Sequence, residues 1–133
     1  MGHITKNIFS VIYKMLKKLP ITINGGHQTR DFIYVDDVIQ VMKKSMKKIQ
    51  KKTLCKNFNV GTGKSVNINT LFNLIKKIIG ADPKLTRKKL EKHDPKISSG
   101  TLKKLNDFLH LKKDSFTKIE NGLAKTISHF RGV

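Results

Sequence analysis

Eleven residues, Gln28-Thr-Arg-Asp-Phe-Ile-Tyr-Val-Asp-Asp-Val38, place the tightest limits on what this chain can fold into. They join a polar turn to a β-rich run and then to an amphipathic helix. The run Asp31–Val35 reads as a strand because aromatic and β-branched residues dominate it. Asp36 or Asp37 can cap the helix that follows, since a carboxylate suits the positive end of a helix. The same segment carries Arg30, one of only three arginines in a chain whose positive charge is otherwise lysine. A guanidinium at a turn-to-strand junction can hold a phosphate through two parallel hydrogen bonds. It can equally form a structural salt bridge with Asp31 or Asp36, and the residues alone leave both roles open.

The rest of the chain extends this alternation. Residues 7–18 predict a helix, with Ile8, Val11, Ile12, Met15 and Leu16 on one face, stopped at Leu19-Pro20. Ile21–Asn24 reads as a short strand, and Gly25-Gly26 as a turn that accepts positive φ. The helix after Asp36 carries Val38, Val41, Met42, Ser45, Met46 and Ile49 on one face and lysines elsewhere, through Lys52. Asn57–Val60 reads as a buried strand ending at Gly61-Thr-Gly63. Asn67 or Asn69 caps the next helix, which Gly80 and Asp82-Pro83 terminate. Residues 84–97 read as basic and irregular. A short helix near 99–109 buries Leu102, Leu105, Phe108 and Leu109. Thr117-Lys-Ile-Glu120 is a capping box opening the last helix. The fold class is α/β, with about five helices and a few short strands.

Composition narrows the function classes. A chain of 133 residues fits one domain, 1–133. No run of 18 apolar residues occurs, so no membrane span is expected, and the first residues lack the apolar core of a signal peptide. The lone Cys55 excludes an internal disulfide and a cysteine metal cluster, and a cytoplasmic location is the default. The net charge of +19 suggests a basic module for nucleic acid or an anionic surface. Against it, the lysines spread along the whole chain and arginine is scarce, so nucleic acid is the runner-up. Gly63-Lys64-Ser65 is not a P-loop, because Phe58 stands where the earlier glycine is required. The histidines His3, His27, His93, His110 and His129 form no i, i+4 pair, and only His93, beside Asp94, keeps a binding role open. Adjacent Asp36 and Asp37 point about 100° apart on a helix, which favours capping over paired catalysis.

Four segments in order resemble the extended short-chain dehydrogenase/reductase family, the NAD-dependent epimerases and dehydratases acting on sugar nucleotides. These are Lys17-Lys-Leu-Pro-Ile-Thr-Ile-Asn-Gly25, the arginine-aspartate segment Gln28–Val38, Asn57-Phe-Asn-Val-Gly-Thr-Gly63 with Val66-Asn-Ile68, and the C-terminal His93-Asp94, Ser98 and Glu120-Asn-Gly-Leu123. The second segment is the specific one, and UDP-N-acetylglucosamine 4-epimerases and related UDP-sugar enzymes are the most similar. The resemblance implies that Arg30 contacts the pyrophosphate of a UDP-sugar. It implies that Thr22 and Asn24 lie on the strand meeting the uracil, and that Asp94 binds the ribose hydroxyls.

The sequence departs from the family where Glu91 replaces a second phosphate-binding arginine, leaving Arg87 and Lys92 as the nearby cations. Thr101 stands where an aspartate is common. No glycine-rich NAD turn precedes position 25. Tyr13 and Lys17 have the family's catalytic tyrosine-lysine spacing, but they lie inside the segment matching the substrate lobe, so the match is read as coincidence. The chain therefore resembles the C-terminal, substrate-binding lobe of a Rossmann-type epimerase. It is expected to bind a UDP-sugar but no cofactor alone, with NAD and catalysis belonging to the N-terminal portion of the intact family; a gene remnant, one half of a split enzyme whose other half is a separate NAD-binding chain, and a fragment are the alternatives. By resemblance, helix 36–48 and strand 57–60 belong to the sheet of that N-terminal portion, so the isolated chain is expected to be marginally stable.

Overall fold

The computed structural model describes residues 7–49, 56–112 and 115–132. His3 and Cys55 lie outside them. Five helices and five short strands follow in the order α1 (Ile8–Leu16), β1 (Ile21–Asn24), β2 (Thr29–Asp31), α2 (Val35–Ile49), β3 (Ser65–Asn67), α3 (Ile68–Ile79), β4 (Leu85–Lys88), β5 (Ile97–Ser98), α4 (Lys103–Leu109) and α5 (Ile119–Arg131). The fold is mixed α/β, as the alternation of periods predicts.

The core lies among α1, β1, α3 and α5. Ile12 and Met15 of α1, Ile21 and Ile23 of β1, Leu71, Phe72 and Ile75 of α3, and Leu123 and Ile127 of α5 are buried in one cluster. The helices start and stop where local chemistry dictates. The Asn7 side chain accepts from the Phe9 N–H and Asn67 from the Thr70 N–H, each satisfying a donor that the helix itself leaves free. Gly80 ends α3 in the left-handed region at φ 73°.

Two small sheets flank this core. β1 pairs in parallel with β4, Ile21 opposite Leu85 and Asn24 opposite Lys88. β2 lies between β3, antiparallel, and β5, parallel. Both β4 and β5 fall in the stretch read as irregular. They are short and mostly exposed, so they lack the alternation that marks a half-buried strand, and backbone pairing alone defines them.

Several other local expectations are corrected. β2 occupies Thr29–Asp31 rather than Asp31–Val35, and α2 begins at Val35. Asp36 and Asp37 thus sit in the first turn of α2. Asp37 accepts from the N–H (2.8 Å) and hydroxyl (3.1 Å) of Thr117. The expected capping box is absent: α5 begins at Ile119 with Lys118 as its N-cap and no side-chain cap. Asn57–Val60 forms no strand among the described residues. The segment is mostly exposed and has no ladder partner there. In α4 only Leu105 is fully buried.

Candidate functional site

The turn between β1 and β2 aims the arginine-aspartate segment. Gln28 is buried, its Oε1 accepting from the Gly26 N–H at 2.6 Å and its Nε2 donating to the Asn24 carbonyl at 2.8 Å. The turn then rests on the start of α3, where the Asn69 N–H donates to the Gly26 carbonyl and the Ile68 N–H to that of Gln28. Gly26 sits at φ 127°, and a Cβ there would fall 2.3 Å from Asn69 Oδ1, so both conformation and space require glycine. This packing fixes where β2 departs and hence where Arg30 projects.

Arg30 reaches a cavity of about 470 Å³ between α1, the β1–β2 turn and α3. Ile8, Val11, Ile23, Leu71, Phe72 and Ile75 line its apolar body. Asn24, Gln28, Arg30, Glu91, His93 and Asp94 contribute polar groups. The turn Glu91–Asp94, closed by an Asp94 N–H to Glu91 carbonyl bond of 3.1 Å, reaches both strands. Glu91 accepts from Asn24 Nδ2 at 3.3 Å, and Asp94 forms a salt bridge with Arg30 Nη2. Arg30 Nη1 donates to the Thr29 carbonyl. One turn therefore latches β1 through a carboxylate–amide bond and β2 through a carboxylate–guanidinium bond. Asn24 Oδ1 is buried without a hydrogen-bond partner, an arrangement that costs about 1–3 kcal/mol.

Of the four site residues expected from the sequence, Asn24, Arg30 and Asp94 meet at this cavity. Thr22 is paired with Thr86 in the parallel ladder and does not line it. The salt-bridge alternative for Arg30 takes a different partner from the two expected, since Asp94 fills that role. Asp31 is instead held by the loop after residue 60, accepting from the N–H groups of Thr62 (3.0 Å) and Gly63 (2.8 Å). Those two amides are thereby satisfied by one carboxylate, which fixes the loop against β2. Arg87 does not replace the missing second arginine. It bonds Asn69 Oδ1 at 2.7 Å, and neither it nor Lys92 lines the cavity. Tyr13 and Lys17 do not line it either. Sequence reasoning missed Gln28 and the Glu91–Asn24 contact, and the latter joins residues 67 apart with no local signal.

Chemically, the apolar body suits a flat ring and the rim suits hydroxyl and phosphate groups. The rim is locally acidic, with Asp31, Glu91 and Asp94 around a single guanidinium, although the whole chain carries +19. No group of three or more metal-ligating side chains comes together among the described residues. No helix among them is long and apolar enough to cross a membrane.

Comparison with known proteins fits this arrangement. Residues 1–61 match the model of the NAD dependent epimerase/dehydratase family. UDP-glucuronate 4-epimerase of Thermodesulfobacterium geofontis is 29% identical over 129 residues, covering 96% of this chain and 38% of the relative. UDP-glucose 4-epimerase of Thermotoga maritima, solved with UDP-glucose, superposes with a TM-score of 0.81 at 30% identity, over 95% of this chain and 40% of that one. UDP-N-acetylglucosamine 4-epimerase of Methanobrevibacter ruminantium, solved with UDP-N-acetylmuramic acid, gives 0.80 at 26% identity, over 98% and 41%. The chain thus spans about two fifths of the length of these relatives. In sequence over residues 1–61 and in fold over nearly all of its length, this chain matches the NAD dependent epimerase/dehydratase family of extended short-chain dehydrogenase/reductases.

Proposed function

We propose that this chain is the C-terminal, substrate-binding portion of a nucleotide-sugar epimerase or dehydratase, and that its cavity takes the UDP part of a UDP-sugar. The observation that carries the reading is convergence. Asn24, Arg30 and Asp94 come from separate segments and meet on one cavity of about 470 Å³ with an apolar body. The base enters that body beside Asn24 and the end of β1. The diphosphate takes the Arg30 guanidinium, which favours bidentate anion contacts. Asp94 leaves Arg30 and accepts from the ribose hydroxyls. Thr22 acts at most through its backbone. Relatives solved with UDP-sugars support the ligand class.

In this reading the chain recognises the nucleotide, and the transient oxidation of the sugar by NAD belongs to the intact enzyme. The comparisons give no support to the basic-module alternative. Calorimetric titration with UDP, beside a DNA duplex at two salt concentrations, tests the assignment. The expected result is UDP binding that weakens at least about tenfold in Arg30→Ala, the loss of a charge-assisted pair. Steeply salt-dependent DNA binding with no UDP response would overturn it.

A further inference from the structure

Gln28 is the one polar side chain buried among the described residues, at 7% exposure. A buried amide persists where hydrogen bonds offset its lost water. Both of its bonds close on the turn just before it, Oε1 to the Gly26 N–H and Nε2 to the Asn24 carbonyl. The turn needs such a device. Gly25 and Gly26 stand at φ 67° and 127°, and glycine restricts its own backbone less than any other residue. A Cβ on Gly25 would fall 2.7 Å from Gln28 Oε1, so the amide packs directly on the turn.

The same residue ties the turn to the core. Its carbonyl accepts from the Ile68 N–H at the start of α3, whose Leu71, Phe72 and Ile75 are buried in the cluster. Its side chain therefore joins the end of β1 to the start of β2 across residues four apart. Asn24 stands at one end of this brace. Arg30, two residues beyond Gln28, stands at the other. All three line the cavity of about 470 Å³.

We infer that Gln28 is a positioning residue that sets the separation between the base and the diphosphate in this cavity. The inference rests on reading the cavity as a UDP site, and it requires no contact between Gln28 and the ligand. A molecule that engages two subsites at once gains from the second contact only when their spacing matches its own length. Without the two amide bonds the glycine turn is free to move. Each half of the ligand then keeps its own contacts, and the whole loses their joint engagement.

The test titrates UDP, uridine and inorganic pyrophosphate separately, followed by NMR, against the unmodified chain, Gln28→Met and Gln28→Glu. Methionine keeps the volume and loses both bonds. In Gln28→Met, UDP is expected to weaken at least about tenfold, and uridine and pyrophosphate each by less than about threefold. A protonated carboxyl at position 28 can accept from Gly26 and donate to Asn24 as the amide does, and burial favours that form. The UDP affinity of Gln28→Glu should therefore recover between about pH 7.5 and about pH 5.5, while that of Gln28→Met does not. Each is measured relative to the unmodified chain at the same pH, since Asp31, Glu91, His93 and Asp94 of the cavity are common to all. Equal weakening of all three ligands, or UDP affinity unchanged in Gln28→Met, would overturn the inference and leave the nucleotide reading in place. Where Gln28→Met does not fold, Gln28→Glu decides, and absence of its recovery overturns the inference. An unmodified chain that binds neither UDP nor its two halves would remove the nucleotide reading and this inference with it.

Discussion

The α1–β1–α3–α5 half and the α2–α4 half of this molecule are held by different means. In the first, nine apolar side chains are buried in one cluster. In the second, a helix of 15 residues buries one side chain and is tied down by discrete contacts: Asp37 to Thr117, Lys48 to the Phe108 carbonyl, and the stacked rings of Phe58 and Phe108. Apolar burial is non-directional and summed over area, whereas these polar links act one at a time. The difference teaches that the first half is held by summed apolar area and the second by a few single contacts, each of which can be lost separately.

Substitutions can break or sharpen that contrast. The largest effect is expected in the cluster, where Ile75→Ala or Ile12→Ala costs about 2–5 kcal/mol by leaving a cavity, read by urea unfolding. Met42→Ala, at an exposed position of α2, should change stability by less than about 0.5 kcal/mol in the same assay. A cost for Met42 similar to that for Ile75 would erase the contrast. Asp31→Ala, which strands the amides of Thr62 and Gly63, is expected to cost about 1.5–3 kcal/mol, with faster amide exchange at those two residues. Asp37→Ala should cost about 1–2 kcal/mol while Asp36→Ala costs under about 0.5, because only the first holds Thr117. Asn67→Ala, which removes the α3 cap, should cost about 1 kcal/mol. Hydrogen exchange should rank the halves directly, with α3 amides opening only on global unfolding and α2 amides opening earlier.

What was legible in the sequence follows the same division. β1, the glycine turn, and the caps Asn67 and Gly80 depend on neighbours in the chain, and they stand where residue chemistry places them. β4 escaped notice because a strand such as Leu85-Thr-Arg-Lys88 is defined by its pairing with β1, more than sixty residues away. Thr117 and Glu120 have the spacing of a capping box, yet the helix starts one residue later, after Lys118, and Thr117 is bonded to a carboxylate 80 residues upstream. Asn57–Val60 has strand composition, but composition cannot provide the neighbouring strand. At the site, resemblance singled out Arg30, Asn24 and Asp94, which the fold brings to one cavity. Glu91 was readable as a departure from the family, but its bond to Asn24 depends on how the 91–94 turn folds back.

That turn has a consequence for measurement. On the proposed assignment, Glu91 and Asp94 occupy the polar groups that the nucleotide uses, so the chain carries its own competitor. A ligand's apparent affinity is the intrinsic one scaled down by the fraction of molecules whose latch is open. Asp94→Ala then acts in two directions, removing a contact for the ribose while freeing Arg30 for phosphate. Inorganic pyrophosphate, which has no ribose, should gain affinity from the substitution that costs UDP part of its grip.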